Sequence, residues 1–199
     1  MSDERLILFL KAPRPGYVKT RLASALGAEA ACAAYRRLVE TLLPRLAGID
    51  DVELRFSPDD ACAEIAPWLQ RGWTAAPQGP GELGARLARA TREAFAAGAK
   101  RVAVIGSDCP RVTAEDIASA WGALARDDVV LGPAVDGGYW LVAMRRPEPR
   151  LFSDIAWSTG VVLEQTLAQA RAAGLSVKLL RELPDVDTPE DWQRFLDGD

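Results

Sequence analysis

Near its amino terminus the chain carries an apolar run followed by a basic loop: Leu6-Ile7-Leu8-Phe9-Leu10, then Pro13-Arg14-Pro15-Gly16-Tyr17-Val18-Lys19-Thr20-Arg21-Leu22. Consecutive large apolar residues without polar alternation are typical of a strand that is buried on both faces. Two prolines and a glycine favour a loop at the carboxyl end of that strand. In open α/β sheets such loops bind ligands.

The loop concentrates positive charge in a chain whose formal net charge is -4. Between Arg5 and Gly27 there is no acid, and the cations are Arg5, Lys11, Arg14, Lys19 and Arg21. Lysine and arginine neutralise phosphate oxygens, and arginine can bind two of them at once. We therefore interpret the loop as a site for a phosphorylated ligand, with a solvated charged turn as the simpler alternative. The Walker pattern G-x-x-x-x-G-K-[ST] is absent.

The composition excludes several classes of function. The chain has no histidine, which removes Ser-His-Asp and Cys-His catalysis and imidazole-bound zinc. Its 3 cysteines lie apart and outside any C-x-x-C motif, which indicates reduced thiols and a cytoplasmic protein. The acidic balance argues against a nucleic-acid polymer as partner. We expect no membrane partner, because no apolar run approaches the roughly 20 residues that cross a bilayer.

Strand and helix signals alternate along the 199 residues, for which we expect a single domain, residues 1–199. The predicted strands are Leu6–Leu10, Val52–Phe56, Trp73–Ala76, Val102–Ile105, Val129–Leu131, Tyr139–Met144 and Ser176–Leu180. The predicted helices cover 28–47, 60–70, 82–97 and 161–173, with two more behind the capping signals at Thr113 and Thr188. This order predicts an α/β fold of three layers, α/β/α, with a mostly parallel sheet. No helix precedes Tyr139–Met144, so we expect that strand to run antiparallel and the sheet to be mixed.

A glycine-rich segment, Gly79-Pro80-Gly81-Glu82-Leu83-Gly84, matches G-x-G-x-x-G. The match is a weak indication of a dinucleotide site, because the preceding strand is poor and the segment is not the first βα turn. A flexible loop that opens a helix at the edge of the pocket explains it better.

Three aspartate motifs follow predicted strands or precede a helix cap. Asp108 ends the clearest strand and could hold Mg²⁺, although it could also cap the turn before Pro110. Asp136-Gly137-Gly138 is either a simple turn or a loop whose glycines let the backbone approach a ligand. Capping of the last helix leaves Asp185 and Asp187 unexplained, so Asp187 is a candidate second metal ligand. Cys109 is interpreted as a packed residue, since no histidine is available to activate it.

The ordered motifs resemble the nucleotide-diphospho-sugar transferase superfamily, and most closely the bacterial radical-SAM/selenodomain-associated transferases, often labelled glycosyltransferases. The matching blocks are 11–22, 81–86, 106–110, 133–139 and 185–191. Several also resemble 2-phospholactate guanylyltransferases, and the last block is similar to molybdenum-cofactor nucleotidyltransferases. The resemblance implies a Rossmann-like GT-A fold.

The resemblance also implies roles for individual residues. Lys11, Lys19 and Arg21 would hold nucleotide phosphates, Asp108 would bind Mg²⁺ (or Mn²⁺) with Asp187, and Asp136 would border the substrate. We expect Lys19, Arg21, Asp108 and Asp136 to act in catalysis. The expected nucleotide-binding set is Lys11, Pro13, Gly16, Lys19, Thr20, Arg21, Gly81, Gly84, Gly137 and Gly138.

We therefore expect a Mg²⁺-dependent transferase that binds a nucleoside triphosphate or nucleotide-sugar and a small-molecule acceptor. The lone aspartate in Ser107-Asp108-Cys109 departs from the Asp-x-Asp of many glycosyltransferases, which favours nucleotidyl transfer to a phosphorylated acceptor with release of pyrophosphate. Glycosyl transfer stays open, as does a catalytically silent nucleotide- or partner-binding protein; a nicotinamide-dependent oxidoreductase is a poorer third reading. Six tryptophans leave room for an aromatic interface, so a homo-oligomer also stays open.

Overall fold

The structure, a computed structural model, describes residues 2–198. Their strands form one seven-stranded sheet. The strands are β1 (Glu4–Lys11), β2 (Val52–Ser57), β3 (Thr74–Pro77), β4 (Arg101–Gly106), β5 (Val129–Pro133), β6 (Tyr139–Met144) and β7 (Val177–Leu179). Each predicted strand is present, with ends that shift by at most two residues.

The strand order across the sheet is β3-β2-β1-β4-β6-β5-β7. All neighbouring pairs are parallel except those of β6, which runs antiparallel to both β4 and β5. The prediction of a mostly parallel, mixed sheet is therefore confirmed. The β5–β6 connection is too short for a crossover helix, and a short connection can join only antiparallel neighbours.

Seven α-helices accompany the sheet within residues 2–198: α1 (Thr20–Leu26), α2 (Ala28–Arg45), α3 (Cys62–Ile65), α4 (Leu83–Ala96), α5 (Ala114–Ala123), α6 (Val162–Ala172) and α7 (Pro189–Asp197). Short 3-10 turns cover Ala66–Trp68 and Pro149–Phe152. Helix α1 was not predicted, because its first residues were assigned to the basic loop. Gly27, with φ +83°, separates it from α2. A glycine tolerates that backbone angle, so the chain can turn between two consecutive helices.

The core is divided by the sheet into two apolar clusters, as three layers require. Leu6, Leu8 and Leu10 face one cluster, while Ile7 and Phe9 face the other. Since successive side chains of a strand point to opposite faces, the continuous apolar run of β1 contributes to both clusters. Four tryptophans are buried, Trp68, Trp73, Trp121 and Trp140, and the other two are half-buried.

Parallel strands β1, β2, β3 and β4 bring their carboxyl ends to one edge of the sheet. The basic loop, the Gly79–Gly84 segment and the Asp108 turn all follow these ends. Within residues 2–198, none of the helices has both the length and the apolar character needed to cross a membrane.

Candidate functional site

Lys19 meets two of the predicted aspartates at the carboxyl edge of the sheet. Its Nζ lies 2.5 Å from Oδ1 of Asp108 and 3.8 Å from Oδ1 of Asp187. The lysine side chain is only 3% exposed, whereas Asp108 is 56% and Asp187 is 34% exposed. The structure therefore brings together three residues that lie far apart in the chain, with the cation inside and the carboxylates towards solvent.

The backbone of Lys19 turns sharply just before α1. Its φ of 47° and ψ of 50° lie in the left-handed region, which is uncommon for a residue with a side chain. Residues in such strained conformations cluster at functional sites, where the surrounding structure compensates for their cost of about 1–3 kcal/mol. The bond to Asp108 is one compensating contact for Lys19.

Asp187 is held by the start of α7. Thr188 and Asp191 form a reciprocal capping box, and the N–H of Asp187 also donates to Asp191 Oδ2 at 3.2 Å. Arg21, at the start of α1, places Nη1 3.0 Å from Asp187 Oδ2. Half-buried Trp192 of α7 packs against Leu22 and its neighbours in α1 and α2. The terminal helix thus carries Asp187 to the basic loop.

A buried hydroxyl connects the ends of β1 and β4. The Tyr35 hydroxyl of α2 accepts from the N–H of Lys11 at 2.8 Å and lies 3.0 Å from Ser107 Oγ. Burial, with the charge of Asp108 added, holds the pKa of Tyr35 well above its usual value, so this hydroxyl stays protonated. The sequence analysis did not single out Tyr35. Its hydroxyl, on the otherwise apolar face of α2, could have indicated a buried hydrogen bond.

The predicted loop at Asp136 makes a tight turn. Asp136 Oδ1 accepts from the N–H of Gly138 at 2.8 Å. A Cβ on Gly137, whose φ is +85°, would lie 2.2 Å from the carbonyl oxygen of Gly160. Glycine is therefore required at 137 by a close approach of two backbone segments.

Asp185 is a second residue without a predicted role. It and Asp187 flank Val186, which is buried. Burial, and after it the charges of Asp136, Asp191 and Asp187, raise the pKa of the Asp185 carboxyl to about 6. The carboxylate of Asp136 therefore lies close enough to Asp185 to affect its ionisation. In the sequence, the Asp185-Val186-Asp187 spacing, which helix capping does not explain, could have indicated a role for Asp185.

The donor set suits a divalent ion that is shared with a ligand. Among residues 2–198, no three acidic, cysteine or histidine side chains converge as a complete protein metal site. Magnesium usually takes one or two carboxylates and completes its shell with water and substrate phosphates. Asp108 and Asp187 fit that pattern, because each has an oxygen within 3.8 Å of Lys19 Nζ.

The glycine-rich segment is held by arginines of α4. Arg89 donates to the carbonyls of Gln78 and Pro80, each at 2.8 Å, and Arg86 donates to the carbonyl of Gly81 at 2.6 Å. Gly84 is buried, and a Cβ there would lie 2.5 Å from the carbonyl oxygen of Phe152. Packing thus accounts for the glycine at 84, while Gly81 lies exposed on the loop.

The remaining cations between Arg5 and Gly27 are either paired with acids or exposed. Arg14 pairs with Asp60 and Glu64, and Arg5 pairs with Asp51 at the start of β1. Lys11 and Thr20 are exposed beside the site, and Gly16 turns the loop with φ +82°. Pro13 is buried, and its carbonyl accepts from Cys32 Sγ at 2.9 Å. Two of the five cations between Arg5 and Gly27 are therefore directed to other acids rather than to the site.

Cys109, next to Asp108, is a packed residue as predicted. It is 4% exposed. Burial and then the charge of Asp108 raise the pKa of its thiol well above the ordinary value. A buried, protonated thiol is a poor nucleophile.

Comparison with known families identifies the chain. Residues 44–159 match the family described as "Uncharacterized protein conserved in bacteria (DUF2064)", which is more than half of the sequence. The chain belongs to this family.

A solved structure extends the likeness of this DUF2064 member to nearly the whole chain. It is a candidate nucleotide-diphospho-sugar transferase from Desulfovibrio desulfuricans G20, with 34% identity and a TM-score of 0.91. The match covers 98% of this chain and 87% of that one. The resemblance to nucleotide-diphospho-sugar transferases is confirmed.

Two further proteins carry assigned reactions. A phosphoenolpyruvate guanylyltransferase from Chloroflexus aggregans is 37% identical over 97 residues, 48% of this chain and 47% of its own; the chain thus matches about half the length of this curated relative. A glucosyl-3-phosphoglycerate synthase from Mycobacterium tuberculosis, solved with Mn²⁺ and UDP, has 13% identity and a TM-score of 0.53 over 92% of this chain and 70% of that one. The latter shows a shared fold. The solved structure at 34% identity, with the guanylyltransferase match over about half of the chain, indicates the nucleotidyltransferase and nucleotide-sugar transferase superfamily for this DUF2064 member.

Proposed function

We propose that this chain transfers a guanylyl group from GTP to a phosphorylated small-molecule acceptor, with a divalent metal ion and release of pyrophosphate. The observation that carries the proposal is the convergence of Lys19, Asp108 and Asp187 at the carboxyl edge of the sheet. A cation beside two accessible carboxylates can serve both a phosphate chain and its metal ion. The choice of guanine follows the 37% identical guanylyltransferase.

The chemistry is an in-line displacement at the α-phosphorus of GTP. An oxygen of the acceptor phosphate forms a bond to the α-phosphorus, and the bond to the bridging oxygen of the β-phosphate breaks. The electron pair leaves with pyrophosphate, and nothing is oxidised or reduced. Such transfers depend on charge neutralisation and positioning more than on a proton-transfer residue. A site without histidine, which is what the sequence offers, meets that demand.

All the predicted residues except Gly84, which packing against Phe152 explains, have a place in this proposal. Lys19, Arg21 and Lys11 neutralise phosphate oxygens, with Pro13, Gly16 and Thr20 forming the loop that carries them. Asp108 and Asp187 hold the metal ion. When bound, that ion would stabilise the charge that develops on the phosphate oxygens.

The other side of the site is assigned to the acceptor. Asp136, Gly137 and Gly138 form a loop whose backbone can approach a ligand closely. Gly81 lies on the opposite loop, where Arg86 bonds only neutral partners within residues 2–198: Gly81, Ser57 and Gln78. An arginine without an acidic partner can bind an anionic acceptor, and phosphoenolpyruvate is the first candidate.

Glycosyl transfer from a nucleotide-sugar is the second candidate. The observation in its favour is the 34% identical relative described as a nucleotide-diphospho-sugar transferase. The same cations and metal ion would then stabilise a departing nucleoside diphosphate, and Asp136 would orient the acceptor or act as a base.

One experiment separates these functions. The protein is incubated with each of the four nucleoside triphosphates, Mg²⁺ or Mn²⁺ and phosphoenolpyruvate, and ³¹P NMR follows pyrophosphate and new phosphoanhydride signals. GDP- and UDP-sugars replace the triphosphate in a parallel series. Guanylyl transfer predicts pyrophosphate from GTP only when metal and acceptor are both present.

Other outcomes contradict the proposal in different ways. Release of a nucleoside diphosphate from a nucleotide-sugar would favour glycosyl transfer. Tight GTP binding in a thermal-shift assay without turnover of any donor would favour a silent nucleotide-binding protein.

A further inference from the structure

The ammonium group of Lys19 already has anionic partners before any ligand is present. It contacts Asp108 directly and lies 3.8 Å from Asp187, the same pair of carboxylates that we assign to the metal ion. The lysine is nearly excluded from water, so its charge is screened less than that of an exposed lysine. The protein therefore supplies its own counter-ion to the metal-binding carboxylates.

A divalent ion would have to compete with this counter-ion. Lys19 and a metal ion would both be bound by the same two aspartates, a few Å apart. Two positive charges at that distance repel each other strongly where little water screens them. Exposed Arg21, 67% accessible and 3.0 Å from Asp187, adds a second and better screened positive charge. Metal binding to the free protein is thus opposed chiefly by Lys19.

Nucleotide phosphates change this balance. They are anionic partners for an ammonium group, and a phosphate that binds Lys19 neutralises the charge that opposes the metal ion. A ligand that removes a repulsion for a second ligand increases the affinity of that ligand, and the effect is reciprocal.

We infer that Lys19 couples metal binding to nucleotide binding. In the free protein Lys19 holds Asp108 and Asp187 together and opposes the binding of a metal ion without nucleotide. When nucleotide is bound, Lys19 binds its phosphates, and the two carboxylates become available to the metal ion. The metal ion therefore enters efficiently only with the nucleotide. This inference rests on the proposed function, which assigns both ligands to this site.

Removal of the Lys19 charge tests the coupling, because it should change the two affinities in opposite directions. Mn²⁺ binding without nucleotide is measured by electron paramagnetic resonance, and GTP binding is measured calorimetrically in EDTA. Lys19→Met should bind Mn²⁺ at least about 5-fold more tightly than the native protein, the lower end of typical couplings. The same variant should bind GTP about 10-fold or more weakly, because a charge-assisted bond is lost.

Lys100→Met is the matched control. Lys100 is exposed and pairs with Asp3 at the opposite end of the sheet, so this variant changes net charge equally and should leave both affinities within about 2-fold. Lys19→Gln, which keeps a donor for Asp108, is the second variant if Lys19→Met does not fold. It should shift both affinities in the same directions.

The outcomes distinguish this inference from the proposed function. Weaker GTP binding with unchanged or weaker Mn²⁺ binding in the lysine variants would overturn the coupling while leaving the nucleotide site intact. A native protein that binds neither GTP nor Mn²⁺, separately or together, would overturn the proposed function itself.

Discussion

The backbone N–H of Val186 donates to the carbonyl oxygen of Asp108 at 2.9 Å. This bond joins the turn after β4 to the segment before α7, which are far apart in sequence. It explains how Asp187, carried by a terminal helix, reaches the aspartate that follows the central strand. The pair of carboxylates is thus fixed by main-chain contacts as well as by Lys19.

Replacement of one carboxylate should remove activity without removing the fold. Asp108→Asn keeps the shape of the side chain and the backbone bond to Val186, but it loses the charge that a metal ion needs. We expect metal-dependent pyrophosphate release to fall at least about 100-fold, while the melting temperature changes by only a few degrees, because Asp108 is 56% exposed. Normal turnover by this variant would show that the metal ion binds elsewhere.

The sequence predicted the architecture well because the relevant signals are local. The apolar run of β1 indicates a doubly buried strand without knowledge of any other element, and the capping boxes at Thr113 and Thr188 mark their helices directly. The antiparallel direction of β6 followed from the missing helix before it. Each of these features depends on neighbouring residues alone.

The sequence could not predict which charges meet. Arg14 and Lys19 occupy the same basic loop, yet Arg14 pairs with Glu64 while Lys19 pairs with Asp108. The difference depends on the left-handed turn at Lys19 and on the parallel register of β1 with β4. Such contacts across 50 and 89 residues require the folded sheet.

Tyr35 should stabilise the point at which β1 and β4 separate. The two strands pair as far as Phe9 opposite Gly106, and the Lys11 N–H then bonds the Tyr35 hydroxyl instead of a strand. Tyr35→Phe leaves that N–H without its partner, so we expect a loss of about 1–3 kcal/mol of unfolding free energy. Urea titration measures it.

The control for this variant is Tyr17→Phe. Tyr17 is 65% exposed, and its hydroxyl has no hydrogen bond within residues 2–198, so stability should stay within about 0.5 kcal/mol. Equal stability of both variants would mean that the Tyr35 hydroxyl contributes nothing to the sheet.

Gly84 should prove to be required for packing rather than for nucleotide binding. A Cβ at 84 would meet the Phe152 carbonyl at 2.5 Å and Trp157 Nε1 at 2.9 Å. Because backbone cannot yield easily, Gly84→Ala should cost about 1–3 kcal/mol in a thermal or urea unfolding experiment. GTP affinity, measured below the melting range, should change little.

A second helical glycine provides the opposite expectation. Gly122 is exposed in α5, and a Cβ there meets nothing within 4 Å. Gly122→Ala should therefore stabilise the protein by about 0.5–1 kcal/mol, since alanine restricts the unfolded chain and favours helix. A Gly84→Ala protein with native stability but weakened GTP binding would assign Gly84 to the nucleotide loop after all.

Asp128 should make stability depend on pH in the acid range. Its Oδ1 accepts from Arg145, and its Oδ2 accepts from the N–H of Ser176 at 3.0 Å and the Ser176 hydroxyl at 2.8 Å, which joins β5 to the start of β7. The backbone bond from Ser176, followed by the bond from Arg145, lowers the pKa of the Asp128 carboxyl to about 2. A lowered pKa contributes stability that is fully present above the unfolded value of about 3.9 and is lost as pH falls through about 2.

The charge-dependent part of this contribution is about 1–2 kcal/mol, because the Arg145 partner is partly exposed and screened. The difference in unfolding free energy between the native protein and Asp128→Asn should therefore be constant from pH 7 to 5 and shrink between pH 4 and 2. Asp50→Asn, at an exposed aspartate without an ion pair within residues 2–198, should show little difference at any pH. Urea titrations across this range decide the matter: if the Asp128→Asn difference does not change down to pH 2, hydrogen-bond geometry rather than the carboxylate charge holds β7 to β5.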